Sequence, residues 1–229
     1  MARAVLFDID GTLMDSVNLH AQAWQEALAR FGKQVKYEDV RSQIGKGGDQ
    51  LLPVFLDEEE LERFGEDLDE YRSGLYERQY LPWAKPFPGA RDLLARLKQA
   101  GTLVGLASSC KRTELGYYLR SVGGASLVDA ATTAEDAEQS KPQPDVFLAC
   151  LEKLALDPGD AVAVGDSPYD AVAAGRAGIR TVGVLSGGFP QRDLEEAGCI
   201  AIYQDVGDIL ERLQTSPLAP EPTRPHEKR

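Results

Sequence analysis

The apolar positions of this chain follow two rhythms. Short, almost unbroken apolar runs lie at Ala4–Phe7, Thr102–Ala107, Ala161–Gly165 and Thr181–Leu185. Runs of this length without polar alternation predict strands covered on both faces. Weaker strands are predicted over Leu127–Ala131 and Ile200–Tyr203. Between these runs the apolar residues recur in steps of three and four. A helix over about 90–100 carries Leu93, Leu94 and Leu97 inward and stops at Gly101. Further helices are predicted over 112–122, 145–155, 169–177 and 206–213. The third of these five opens on the rigid loop Lys141-Pro142-Gln143-Pro144. Strand alternating with helix predicts an α/β protein with a parallel sheet and helices on both faces.

From 16 to 82 the second rhythm runs alone. Val17, His20, Ala21, Trp24, Ala27, Leu28 and Phe31 are spaced as one helix face, with Asp15 or Ser16 as its cap and Gly32 as its end. A shorter helix is predicted over Tyr37–Ile44, followed by the loop Gly45-Lys46-Gly47-Gly48. That loop lacks the spacing and the Lys-Ser/Thr pair of a nucleotide P-loop. Leu61, Phe64, Leu68, Tyr71 and Leu75 line one side of a helix over Asp57–Gln79, and charged residues fill its other face. Three prolines in Leu81–Gly89 end it. The expected division is therefore a sheet-bearing core at 1–15 and 83–215 and an all-helical insertion at 16–82. A tail at 216–229, with four prolines among polar residues, is expected to be disordered.

The 229 residues suffice for one large domain or a domain with a modest insertion. A formal net charge of -12 argues against nucleic acid or an anionic membrane as a partner. It leaves open a small anionic substrate served by local positive charge. Cys110, Cys150 and Cys199 are widely spaced and odd in number, which reads as core thiols in a reducing compartment. With no secretory-type segment and no apolar run of about 18 residues, a cytoplasmic location is expected.

The chemistry gathers at strand ends. In a parallel sheet, ligands bind outside the carboxyl ends of the strands. Asp8 and Asp10 leave the first strand on the same side, about 7 Å apart. Gly11 lets the chain turn and Thr12 offers a hydroxyl. The second long strand ends in Ser108 and Ser109, a later loop brings Lys141, and the strand at 161–165 ends in Asp166, with Asp170 one helical turn on. These groups suit phosphoryl transfer. An ionised Asp8 attacks phosphorus and forms an aspartyl phosphate. Asp8, the Asp10 carbonyl and Asp166 offer the hard oxygens that Mg²⁺ prefers. Lys141, Ser108, Ser109, Thr12 and the amides around Ile9–Gly11 are expected to hold the phosphoryl oxygens. Asp10 protonates the leaving group and then activates water, a task that calls for a raised pKa.

Four motifs carry a resemblance: Asp8-Ile9-Asp10-Gly11-Thr12-Leu13, Leu106-Ala107-Ser108-Ser109, Lys141-Pro142-Gln143-Pro144-Asp145 and Gly165-Asp166-Ser167-Pro168-Tyr169-Asp170. In this order they resemble the haloacid dehalogenase-like superfamily, in its phosphoglycolate phosphatase and β-phosphoglucomutase-like branch. The resemblance implies a Rossmann-like core, a helical cap inserted after the first strand, and a Mg²⁺-dependent phosphatase acting on a small phosphorylated metabolite as a monomer or weak homodimer. It implies binding roles for His20 and for Lys46 in the cap loop, and makes Asp170 a partner of Lys141 or of metal-bound water. A phosphosugar mutase and a non-catalytic, receiver-like sensor remain the alternatives. The loop Gly45-Lys46-Gly47-Gly48-Asp49 departs from the mutase pattern.

Overall fold

The computed structural model describes residues 2–219. β1 (Ala4–Phe7) is followed by a two-residue strand, β2 (Met14–Asp15), and the long helix α1 (Val17–Arg30). The short helices α2 (Tyr37–Arg41) and α3 (Gly48–Leu51) come next. α4 (Glu58–Glu60) passes through a π turn at Leu61–Gly65 into α5 (Glu66–Leu75), which ends in a second π turn at Tyr76–Tyr80. The single helix expected over Asp57–Gln79 is thus wound in three registers. Leu68 and Leu75, seven residues apart in the unbroken α5, share a side of it yet meet different partners: Leu68 packs within the helical segment, Leu75 against the sheet.

β3 (Lys85–Pro86) leads to α6 (Ala90–Gln99), β4 (Leu103–Ala107), α7 (Arg112–Ser121) and β5 (Ala130–Thr132). The chain finishes with α8 (Asp145–Leu154), β6 (Ala161–Gly165), α9 (Pro168–Arg176), β7 (Arg180–Val184), α10 (Gln191–Glu196), β8 (Ala201–Tyr203) and α11 (Val206–Glu211). Six strands pair in parallel in the order β5-β4-β1-β6-β7-β8. β1 lies between β4 and β6, so Asp8, Ser108 and Asp166 emerge side by side at one sheet edge.

The unbroken apolar runs divide between two cores. Val5, Phe7, Val104, Val162 and Val164 pack with Leu93, Leu94 and Leu97 of α6 and Ile209 of α11. Ala4, Leu6, Ala161 and Ala163 face α8 and α9, meeting Phe147, Cys150, Ala173 and Ala174. Small side chains on both surfaces let α9 approach closely. Gly105 does the same for α8, because a methyl group there would collide with Cys150 of that helix and with Leu6. Burying one leucine or valine in such a layer contributes about 1.5–3 kcal/mol. A third core, with Trp24, Leu28, Val40, Leu51 and Leu68, lies inside the helical segment.

Two features depart from expectation. β2 and β3 pair antiparallel, Met14 with Pro86 and Asp15 with Lys85. The stretch Leu81–Gly89 therefore closes a small ribbon rather than serving only as a break. The expected disordered tail does not begin at Ser216: Leu218 is buried in the core, and the Ser216 hydroxyl donates to the Leu213 carbonyl. The apolar side chain outweighs the flanking prolines. The rest of that tail, 220–229, lies outside the described residues.

Candidate active site

Asp8 continues β1, and its amide donates to the Val164 carbonyl of β6. It is buried, as are Asp166, Asp170 and Lys141. Lys141 Nζ lies 2.5 Å from Asp8 Oδ1 and 2.7 Å from Asp170 Oδ1. Carboxylate oxygens of Asp8, Asp166 and Asp170 all lie within 4.8 Å of one another. Three acids thus share a single ammonium. Burial pushes the Asp8 carboxyl up to about 7, with Lys141 pulling against it and Asp170 and Asp10 adding to the rise. Burial, then Asp170 and Asp8, drives Asp166 up as well. Burial works against the Lys141 charge, but Asp170 and Asp8 outweigh it, so its pKa rises and the ammonium is held. With all three acids ionised the cluster carries an excess of two negative charges in a dry place. A small divalent cation with hard oxygen ligands fits that excess and that donor set.

Asp166 is clamped from three sides. The Thr12 hydroxyl donates to its Oδ1 at 3.2 Å. Gly11, at φ +88°, and Gly187 pass so close to Oδ2 that a methyl group on either would collide with it. Asp170 closes the start of α9, accepting from the Ser167 amide and hydroxyl.

Asp10 points elsewhere. Its Oδ1 accepts from the Ser16 hydroxyl at 2.6 Å and meets His20 Nε2 at 3.0 Å. His20 stacks on Tyr76 at 3.8 Å between centroids and lies 3.3 Å from the Tyr118 hydroxyl, which meets the Tyr76 hydroxyl at 2.7 Å. Burial alone would raise the Asp10 carboxyl. His20, with the Ser16 and Tyr118 hydroxyls behind it, carries it below the ordinary carboxylate value. The raised pKa expected for this residue is therefore reversed, because a neighbouring imidazole counts for more than the neighbouring acid. Ser16 begins α1 without a side-chain cap bond, its hydroxyl being committed to Asp10.

One cavity of about 50 Å³ joins these groups to the helical segment. Asp8, Asp10, His20, Lys46, Ser108 and Ser109 line it. Of the residues expected to hold phosphate, Gly11 and Thr12 do not reach it. The Gly11 amide donates to the Met14 carbonyl, and the Thr12 hydroxyl is spent on Asp166. The Ser108 hydroxyl accepts from the Cys110 amide at 3.1 Å and keeps its own proton to give. Lys46 Nζ donates to Gln43 at 2.6 Å and lies over the Tyr169 ring. The helical segment meets the sheet edge through Asp49 Oδ2, which accepts from the Ser140 amide, through Arg41, which donates to the Gly187 carbonyl, and through the Ser42 carbonyl, which accepts from Tyr169. Two further lining residues, Arg72 and Glu114, give no signal in the sequence, because charges on amphipathic helices ordinarily face water.

Residues 5–184 match the model of the haloacid dehalogenase-like hydrolases. The chain belongs to this family. Over 216 residues it is 29% identical to a phosphorylated carbohydrates phosphatase of Thermotoga maritima, covering 92% of this chain and 99% of that protein. It is 31% identical over 212 residues to the protein SUPPRESSOR OF QUENCHING 1, chloroplastic, of Arabidopsis thaliana, where the match spans 90% of this chain but only 20% of that longer protein. Among solved structures, a hydrolase from Pseudomonas syringae superposes with a TM-score of 0.85 at 30% identity, over 93% of this chain and 97% of that one. This haloacid dehalogenase-like hydrolase thus shares its fold along nearly its whole length with the Pseudomonas syringae hydrolase. Among its described residues no helix is long and apolar enough to cross a membrane.

Proposed function

We propose that this chain, a hydrolase of phosphate esters, is a Mg²⁺-dependent phosphatase that cleaves a small organic monoester through an aspartyl phosphate on Asp8. The observation that carries the reading is the buried set of Asp8, Asp166, Asp170 and Lys141 beside a cavity that Asp8 and Asp10 line. Asp8 and Asp166, with the Asp10 carbonyl, would hold the metal, and Asp170 supports both Lys141 and the cluster. Bound there, Mg²⁺ supplies positive charge that reconciles a carboxylate nucleophile with an anionic phosphate.

The protein's own groups do the rest. Lys141 orients Asp8 and, with the Ser108 hydroxyl, meets phosphoryl oxygens as charge shifts onto them. The Asp10 carboxyl gives its proton to the leaving alkoxide and later takes one from the attacking water. His20 and Ser16 hold it ionised, the state the water step uses. An arriving phosphate dianion is a like charge and favours the protonated state, which the first step uses. The helical segment acts as a cap, and its contacts at Ser140, Gly187 and Tyr169 exclude water from the chemistry. Its extent would be 16–82, between core parts at 1–15 and 83–215. A cytoplasmic monomer or weak homodimer acting on a soluble metabolite suits this design. The relative named a phosphorylated carbohydrates phosphatase supports this reading.

The test is release of phosphate from a generic aryl phosphate with and without Mg²⁺. Asp8→Asn abolishes it in a folded protein, and Asp10→Asn leaves a phosphoenzyme that hydrolyses slowly. Full metal-dependent turnover in Asp8→Asn refutes the assignment of the nucleophile.

A further inference from the structure

Leaving aside Asp170 Oδ1, which lies 2.7 Å from the Lys141 ammonium, four buried side-chain nitrogen or oxygen atoms lack a hydrogen-bond partner among the described residues. Three of them, Arg72 Nε, Ser109 Oγ and Glu114 Oε1, belong to residues lining the one cavity that also contains Asp8. Unspent buried polar atoms are rare, because each loses its water without replacement. Three around one cavity form an unfilled pattern of one donor, one hydroxyl and one acceptor.

Their mounting is rigid. Arg72 is 8% exposed, lies 4.6 Å over the Trp24 ring, and meets Asp69 at 3.3 Å and Glu114 at 3.7 Å. Glu114 is 1% exposed, and its other oxygen accepts from the Lys111 amide at the start of α7. The charges on this side cancel. Arg72 and Lys111 stand against Asp69 and Glu114, with Lys111 3.2 Å from Asp69. Lys46, the remaining cation on the wall, is turned to Gln43 and Tyr169. The guanidinium therefore has a direction to offer but little net charge.

Resting on the phosphatase reading above, we propose that Arg72, Ser109 and Glu114 form the subsite for the leaving alcohol, and that this alcohol is a neutral polyhydroxy group, that of a sugar or polyol monophosphate. A hydroxyl both donates and accepts, so neighbouring hydroxyls satisfy all three atoms together. A carboxylate or a second phosphate accepts only. It would answer Arg72 and Ser109 but leave Glu114 facing a like charge at close range. Glu114 thus works by exclusion as well as by attraction.

The experiment compares kcat/KM with Mg²⁺ for hexose, pentose and glycerol monophosphates, phosphoglycolate, pyrophosphate and an aryl phosphate. The wild type turns over at least one polyol phosphate about 10- to 100-fold better than phosphoglycolate or pyrophosphate, the span of one buried charged hydrogen bond. Glu114→Gln keeps the shape and removes the charge. It lowers the polyol-to-phosphoglycolate ratio about tenfold or more, with phosphoglycolate turnover rising in absolute terms. A role confined to helix structure would depress all substrates alike. A wild type that prefers phosphoglycolate or pyrophosphate, or that cleaves the aryl ester but no polyol phosphate, overturns the subsite and leaves the phosphatase reading intact. An unchanged ratio in Glu114→Gln overturns the role of that residue. A wild type inert towards every ester refutes the phosphatase reading itself. The wild-type panel decides the substrate class even where the variant fails to fold.

Discussion

Replacing Lys141 by Met removes the only cation of the acidic cluster while keeping much of the side chain's length. In the folded protein Lys141 is 1% exposed and bonded to Asp8 at 2.5 Å and Asp170 at 2.7 Å, with Asp166 close by. Removing one partner of a buried ion pair costs about 3–5 kcal/mol, because the other charge stays behind in a dry place. For a chain of this size each kcal/mol moves the melting temperature by about 2–4 °C, so Lys141→Met in EDTA should melt roughly 6–20 °C lower. Adding Asp170→Asn takes away one stranded charge and should recover about 1–2 kcal/mol of that loss. Catalysis should not follow the same course. In the mechanism proposed above Lys141 also meets the charge that develops on phosphorus, and losing one such donor costs about 10²- to 10³-fold in kcat. The double variant should therefore regain stability and remain inactive. Thermal melts and phosphate release on the four proteins of the cycle read both quantities. A single variant as stable as the wild type, or a double variant that regains turnover, would refute the reasoning.

Further outcomes follow from the same geometry. His20→Asn removes the main group that lowers the Asp10 carboxyl, so the alkaline limb of the kcat/KM–pH profile, where the general acid loses its proton, should move to higher pH; an unmoved limb contradicts the pairing. The folded-state pKa of Asp8 is raised from 3.8 to about 7, so its stabilising effect is complete below the lower value and is lost as pH rises through the higher one. Metal-free protein should accordingly melt lower at pH 8 than at pH 5. Mg²⁺ at about 100 times its Kd should restore about 2.7 kcal/mol at the higher pH, or roughly 5–10 °C, as scanning calorimetry would show. Gly187→Ala drives a methyl group into Asp166 Oδ2, and titration calorimetry should find Mg²⁺ binding weakened at least about tenfold; unchanged affinity would remove Asp166 from the metal site.

Most of the sheet was legible because its strands are short and covered on both faces, which leaves apolar runs that few other structures produce. Asp8, Asp166 and Lys141 were legible because strand ends in a parallel sheet converge whatever the intervening chain does. Local spacing could not show what depends on a partner far along the chain. Asp10 looked like the near twin of Asp8, yet His20 and Ser16, brought back by the turn into α1, reverse its electrostatics. Gly11 and Thr12 looked like phosphate ligands, but Met14 and Asp166 take their donors. Arg72 and Glu114 sit among other charges on their helices, and periodicity assigns such residues to water.

The pairing of Met14 with Pro86 and Asp15 with Lys85 brings the two ends of the helical excursion to one spot on the molecule. Some seventy residues leave and return through a single doorway. Length can be added or removed beyond that doorway without altering the spacing of the six parallel strands. A chain built this way can exchange one selectivity for another while its aspartates stay where they are.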